Sequence, residues 1–144
     1  MPLKKYDFVG YHLIANYSEC SGTALRNTKG LVGAMKTAVK TTGATLLRSL
    51  EHTFPNGGFT MLLLLAESHA SIHTYPEYDS CFVDLFTCGN SCIVEKADSI
   101  LRSYLHPQNA QCRILLRNET AVHFKVNVGA PQEAAQSSAS FRSL

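Results

Sequence analysis

Tryptophan is absent from the 144 residues, and no run of apolar residues is long enough for a membrane span. The longest run, Met61 to Ala66, is the size of a β-strand, whereas a helix crossing a bilayer needs about 20 such residues. Charge is sparse too. Thirteen Lys and Arg against eleven Asp and Glu leave a formal net charge of +2, with no long basic block. That balance argues against nucleic acid as a partner, and nothing marks a membrane-bound protein. The five cysteines (Cys20, Cys81, Cys88, Cys92, Cys112) are odd in number and include no CxxC pair. A disulfide framework is therefore disfavoured. With no helical HxxxH pair either, no metal is required. The opening MPLKKYDFVG has no apolar stretch and no small-residue cleavage site, so it does not read as a secretory signal. Reduced thiols in the cytoplasm are expected, with Cys20, Cys81 and Cys112 as small buried hydrophobes.

What is present suits one domain. Apolar residues make up 45% of the chain, enough to bury about two-thirds of the unfolded surface in a chain of this length. Phe8 to Tyr17 is rich in β-branched and aromatic residues and reads as a first strand. Ser21, Gly22 and Thr23 then offer an N-cap to a helix over Ala24 to Thr42, where Leu25, Leu31, Val32, Met35 and Val39 recur at helical spacing. Its lysines and arginine read as a solvated face. Gly43 closes that helix.

Ala44 to Phe54 is the second strand, turned by Pro55-Asn56-Gly57-Gly58 into a third over Phe59 to Glu67. His69 to Tyr75 continues the sheet until Pro76, which has no N–H to donate. Further strands are expected over Ser80 to Cys88, Gln111 to Leu116 and Ala121 to Val128, the last two hairpinned around Asn118. A second helix spans Val94 to Leu105, stopped before Pro107. The fold class is α+β: a mainly antiparallel sheet with two helices on one face, a two-layer sandwich. Residues 1–129 form the domain. The polar stretch from 130 to 144 is expected to be a disordered tail.

The stretch AESHASIHTYPE, Ala66 to Glu77, with DLFTCG at Asp84 to Gly89, carries the chemistry. Leu62 to Leu65 lead into a carboxylate-hydroxyl pair, Glu67-Ser68, with His69 and His73 close behind. Such an order suits a backbone that cuts itself. Ser68 Oγ attacks the Glu67 carbonyl through a five-membered ring and converts amide to ester; a base then removes the Ser68 α-proton and expels Glu67 as a carboxylate. Imidazole is a usable base at neutral pH, which nominates His73. There is a geometric obstacle: side chains alternate faces along a strand, so residues five apart point oppositely. A bulge or bend between Ser68 and His73, or approach around a strand end, is needed.

ESHxSIHTYPE followed by FTCG resembles the prokaryotic S-adenosylmethionine decarboxylase proenzymes, with similarity from about Gly10 to Leu116. The resemblance implies a covalent pyruvoyl cofactor made from Ser68 by cleavage after Glu67, and a Schiff base between its keto group and the substrate amine. It also implies His73 as proton acceptor in processing and Cys88 as proton donor in decarboxylation. Thr60 stands where the family usually has a serine that assists processing. By the same resemblance, Phe54 and Tyr75 sandwich the adenine of S-adenosylmethionine, and Glu77 takes the ribose hydroxyls. Read as residues alone, Phe54 and Tyr75 are strand-end packing, Glu77 is an exposed turn carboxylate, and Cys88 and His73 belong to a core. The family further implies a role in spermidine synthesis and a homodimer of processed protomers.

Two departures from the family pattern stand out: Asn16 replaces an acidic residue, and Asp79-Ser80 replaces a glycine-aromatic step. They keep two alternatives open. One is a pyruvoyl-dependent decarboxylase of ornithine or arginine; the other is an uncleaved, non-catalytic binding homologue.

Overall fold

The computed structural model describes residues 7–128. Seven strands form one wholly antiparallel sheet: β1 (Val9–Ser18), β2 (Leu46–Thr53), β3 (Phe59–Leu65), β4 (Ser68–Tyr75), β5 (Ser80–Cys88), β6 (Asn109–Asn118) and β7 (Val122–Val128). Their order across the sheet is β2-β3-β4-β5-β1-β6-β7. The first strand in the chain is thus inserted between β5 and β6. Three helices, α1 (Gly22–Arg26), α2 (Thr28–Thr41) and α3 (Glu95–Leu105), cover one face of the sheet. The expected α+β sandwich is the observed one.

Alternation decides which residues lie under the helices. Leu13, Ala15 and Tyr17 of β1, Met61, Leu63 and Leu65 of β3, Ala70 and Ile72 of β4, and Val83 and Leu85 of β5 are buried. They meet Leu31, Ala34, Met35, Ala38 and Val39 from α2, a stripe at three-to-four spacing, and Ala97, Leu101 and Leu105 from α3. The intervening strand residues point to the other face, which no helix covers.

The single helix expected over Ala24 to Thr42 is two. Asn27 breaks it, with φ −85° and ψ 89°, and its side-chain oxygen accepts the Gly30 N–H at 3.0 Å to start α2. Asparagine favours capping over helical continuation because its short amide competes for backbone hydrogen bonds. Gly43, with φ +93°, follows α2 as expected of a residue free of Cβ strain. The hairpin at Asn118 also forms, its Oδ1 accepting the N–H groups of Thr120 and Ala121. Residues 130–144, expected as a tail, lie outside the described residues.

One polar network ties α3 to the sheet. Tyr17 donates its hydroxyl to Asp98 Oδ1 at 2.6 Å, and Arg102 Nε donates to Oδ2 at 2.7 Å. Asp98 is 3% exposed, so its charge is held almost entirely by protein groups. Burial, reinforced by the neighbouring carboxylate, pushes the Tyr17 phenol well above its usual range. Burial likewise pushes the adjacent Cys112 thiol up to about 12.

Candidate active site

The joint between β3 and β4 is where sequence and structure differ most usefully. β3 was expected to run through Glu67, but it ends at Leu65, and Ala66-Glu67 form a tight turn. Thr45, in the approach to β2, causes this. Its carbonyl accepts the Ala66 N–H at 2.9 Å, while its own N–H and hydroxyl donate to the Glu67 carboxylate at 2.8 and 3.1 Å. From the other side, the Cys88 N–H donates to the Glu67 carbonyl oxygen at 2.8 Å. The carbonyl that a serine nucleophile would attack is therefore already polarised by a fixed donor, the arrangement that stabilises a tetrahedral oxyanion. Ser68 itself has φ +156°, in a region populated essentially by glycine. Strain is concentrated on one residue, on the C-terminal side of the Glu67–Ser68 peptide.

The Ser68 hydroxyl is loosely held. Its Oγ lies 3.4 Å from Nδ1 of His69, a contact that serves as a hydrogen bond to the ring only in the tautomer with Nδ1 free. In register, Ser68 sits opposite Leu65 on one side and Thr87 on the other, both buried. Cys88, the next residue, faces a cleft of about 570 Å³ that also receives Gly10, Phe86 and Arg117. Gly10 gives the Phe86 ring its room: a Cβ would come within 2.4 Å of it and the ring would have to shift. Over the same ring, at 4.7 Å from its centroid, lies the Arg117 guanidinium.

A second cluster lies at the other end of β4. Thr60 and His73, paired across β3 and β4, are hydrogen-bonded through Oγ1 and Nδ1. The His73 ring meets Tyr75 edge-on at 4.7 Å and Phe54 at 5.9 Å. Phe54, His73, Tyr75 and Glu77 line a cleft of about 420 Å³, which also takes in the Pro55–Gly58 turn. Four of the residues singled out in the sequence thus share one pocket, with Thr60 bonded to it.

The two clusters are not joined within the protomer. The pairing of β4 with β5 is unbroken from Ser68 to Tyr75, so the bulge needed to bring His73 to Ser68 is absent. Five residues of regular strand span roughly 16 Å. His73 lies in the cross-strand row of His52, Thr60, Phe82 and Asn16 on the open face, whereas Ser68 lies in the row of Leu65, Thr87 and Tyr11. Asn16 is exposed on that open face, and Asp79 is occupied in a turn: its φ is +46°, its carbonyl accepts the Cys20 N–H, and its carboxylate stands 3.5 Å from Arg26.

Residues that spacing did not nominate are His69, Thr45, Thr87 and the Cys88 amide. The first was visible in ESH; the others are brought in only by strand pairing. Among the described residues, no group of three or more His, Cys, Asp or Glu side chains could hold a metal ion. Nor is any helix there long and apolar enough to cross a membrane. All five cysteines are free. Cys20 and Cys81 touch: the hydrogen bond between them lowers the Cys20 thiol and raises that of Cys81.

Residues 11–118 match the family model described as S-adenosylmethionine decarboxylase. An S-adenosylmethionine decarboxylase proenzyme of Synechococcus sp. (strain WH7803) is 43% identical over 113 residues, covering 78% of this chain and 88% of the relative. One of Pyrobaculum islandicum is 39% identical over 104 residues, covering 72% and 83% respectively. The crystal structure of the adenosylmethionine decarboxylase from Aquifex aeolicus VF5 is similar with a TM-score of 0.68 and 25% identity, covering 88% of this chain and 99% of that one. Motif, fold and relatives agree, and the chain belongs to the S-adenosylmethionine decarboxylase family.

Proposed function

We propose that this protein cleaves itself between Glu67 and Ser68 and then decarboxylates S-adenosylmethionine, supplying the aminopropyl donor for spermidine synthesis. The observation that carries the reading is the Glu67–Ser68 joint, with its carbonyl on the Cys88 N–H, its carboxylate on Thr45 and an unfavourable φ at Ser68.

Cleavage begins when Ser68 Oγ bonds to the Glu67 carbonyl carbon. The C–N bond breaks, and the hydroxyl proton passes through His69 Nδ1 to the Ser68 nitrogen. The Cys88 N–H holds the oxyanion formed on the way. Loss of the Ser68 α-proton then expels the Glu67 carboxylate, and hydrolysis of the resulting dehydroalanine releases ammonia and leaves a pyruvoyl group. The surroundings of Ser68 fit such a group: the residue is half-exposed at a strand end, and Cys88 beside it opens on a cleft. Once formed, pyruvoyl supplies an electron sink for the charge left by departing carbon dioxide. Cys88 delivers the proton that replaces the carboxylate. Phe54 and Tyr75, in the cleft that holds His73, stack the adenine of substrate bound at the other protomer's Ser68, and Glu77 accepts from the ribose hydroxyls.

His73 and Thr60 act in the same reaction across a homodimer. Two observations favour this arrangement: the roughly 16 Å of straight strand between His73 and Ser68, and the apolar open face. Leu50, Leu62, Leu64, Phe82 and Phe124 are exposed there at 48% or more. Two such faces packed together bury apolar surface and carry the partner subunit's His73 to the Ser68 end of a protomer's β4, where the half-exposed strand end leaves Ser68 approachable. A cytoplasmic location belongs to the same reading, in keeping with five free thiols. The relatives are described as acting on S-adenosylmethionine, and nothing in them favours ornithine or arginine.

Cleaved protein incubated with carboxyl-labelled S-adenosylmethionine releases labelled carbon dioxide, and releases little from labelled ornithine or arginine. Fully cleaved protein that is inert toward S-adenosylmethionine contradicts the proposal.

A further inference from the structure

Thr87 is the one described residue with a buried side-chain oxygen or nitrogen that lacks a hydrogen-bond partner. Its side chain is at 0% exposure, between Ser68 on β4 and Tyr11 on β1. A hydroxyl removed from water and left unpaired is destabilising, so a buried orphan in a native fold calls for a reason. Valine is nearly the same shape and avoids that cost.

The position of the orphan supplies the reason. Residues directly opposite on antiparallel strands have Cβ atoms about 4.5–5.5 Å apart, within reach of one hydrogen bond between two rotating hydroxyls. Ser68 is the residue opposite, and its own hydroxyl has only the 3.4 Å contact with His69. The next residue after Thr87 is Cys88, whose N–H already holds the Glu67 carbonyl. One short segment of β5 therefore faces both reacting atoms, the carbonyl carbon through its oxygen and the nucleophile through Thr87.

Resting on the self-cleavage reading above, we infer that Thr87 is a positioning residue for that step: its hydroxyl donates to Ser68 Oγ and fixes the oxygen against the Glu67 carbonyl, with the Ser68 proton directed at His69. No atom of Thr87 is transferred. The Oγ–C bond forms, the C–N bond breaks, and the serine proton ends on the Ser68 nitrogen. The hydroxyl is unpaired in the resting precursor and gains its partner only as Ser68 Oγ turns toward the Glu67 carbonyl, so it is a stability cost carried for the sake of the chemistry.

The test compares full-length wild type, Thr87→Val and Thr87→Ser, each freshly expressed and followed by denaturing electrophoresis and thermal unfolding. Thr87→Val is expected to cleave at least tenfold more slowly with Tm equal to or above that of wild type, and Thr87→Ser to cleave within threefold of wild type. Neutral hydroxylamine, which cuts the ester but not the amide, is expected to release less of fragment 1–67 from Thr87→Val precursor than from wild type. Cleavage of Thr87→Val at the wild-type rate overturns the inference, as does slow cleavage with an undiminished hydroxylamine-sensitive fraction or with a fallen Tm. Failure of wild type to cleave at all refutes the self-cleavage reading instead, so the two failures are distinguishable.

Discussion

The two faces of this sheet are built from the same strands, alternating residue by residue, yet they serve different ends. On the covered face Leu13, Met61, Ile72 and Leu85 are sealed under α2 and α3 at 1% exposure or less. On the open face their immediate neighbours, Leu62, His73, Asp84 and His12, leave apolar groups in water and titratable groups in contact; His12 Nε2 lies 3.0 Å from Asp84 Oδ1. The first face obeys packing alone. The second collects residues that packing does not explain, which is where an exposed apolar patch signals an interaction site. Ser68, at the end of β4, belongs by register to the covered row but is half-exposed, and it has the strained backbone.

That contrast is open to direct attack. The largest effect is expected on the covered face: Leu13→Ala removes a fully buried side chain and lowers unfolding free energy by about 3 kcal/mol, measured by denaturant titration. An equal loss from Leu62→Ser in the isolated protomer, where about 0.5 kcal/mol or less is expected, erases the distinction between the faces.

Next comes the buried network. Tyr17→Phe leaves the Asp98 carboxylate with Arg102 but without its phenol, and a loss of about 2 kcal/mol is expected at neutral pH. The same variant tests the sign of the pH dependence. Because the folded-state phenol titrates above its unfolded value, its contribution is complete below pH ~10 and falls as pH rises beyond that. Stability against pH is therefore expected to slope less steeply above that point in the variant. Some alkaline slope persists from Cys81 and Cys112, whose thiols are raised as well.

A smaller effect is expected on binding. Glu77→Gln weakens ribose recognition by about 1 kcal/mol, read as a roughly fivefold rise in KM with kcat little changed. Leu64→Glu separates folding from assembly: Tm of the dilute protomer shifts by no more than a few degrees, while sedimentation equilibrium shows weaker self-association. Unaltered association in that variant removes the open face as the contact between copies.

Much of the fold was legible because a half-buried sheet writes its pattern at period two and α2 writes its own at three to four. Residues five apart on a strand have opposite parity, which puts Ser68 and His73 on opposite faces, and the unbroken register of β4 agrees. Other features depend on partners distant in sequence. Asn27 resembles any helical residue until its amide is seen capping Gly30. β3 stops short of Glu67 because Thr45, some twenty residues earlier, draws the turn toward itself. Thr87 and the Cys88 amide acquire meaning only when β5 pairs with β4, since strand register is set by the assembled sheet and not by local spacing.

Intact mass of freshly purified protein, followed over hours and combined with borohydride or hydrazine trapping, tests the central claim most directly. The account predicts conversion into fragment 1–67 and a second fragment that begins at position 68 with a trappable keto group in place of serine. A folded, soluble protein that stays uncut, or whose second fragment keeps an ordinary serine at its start, contradicts it.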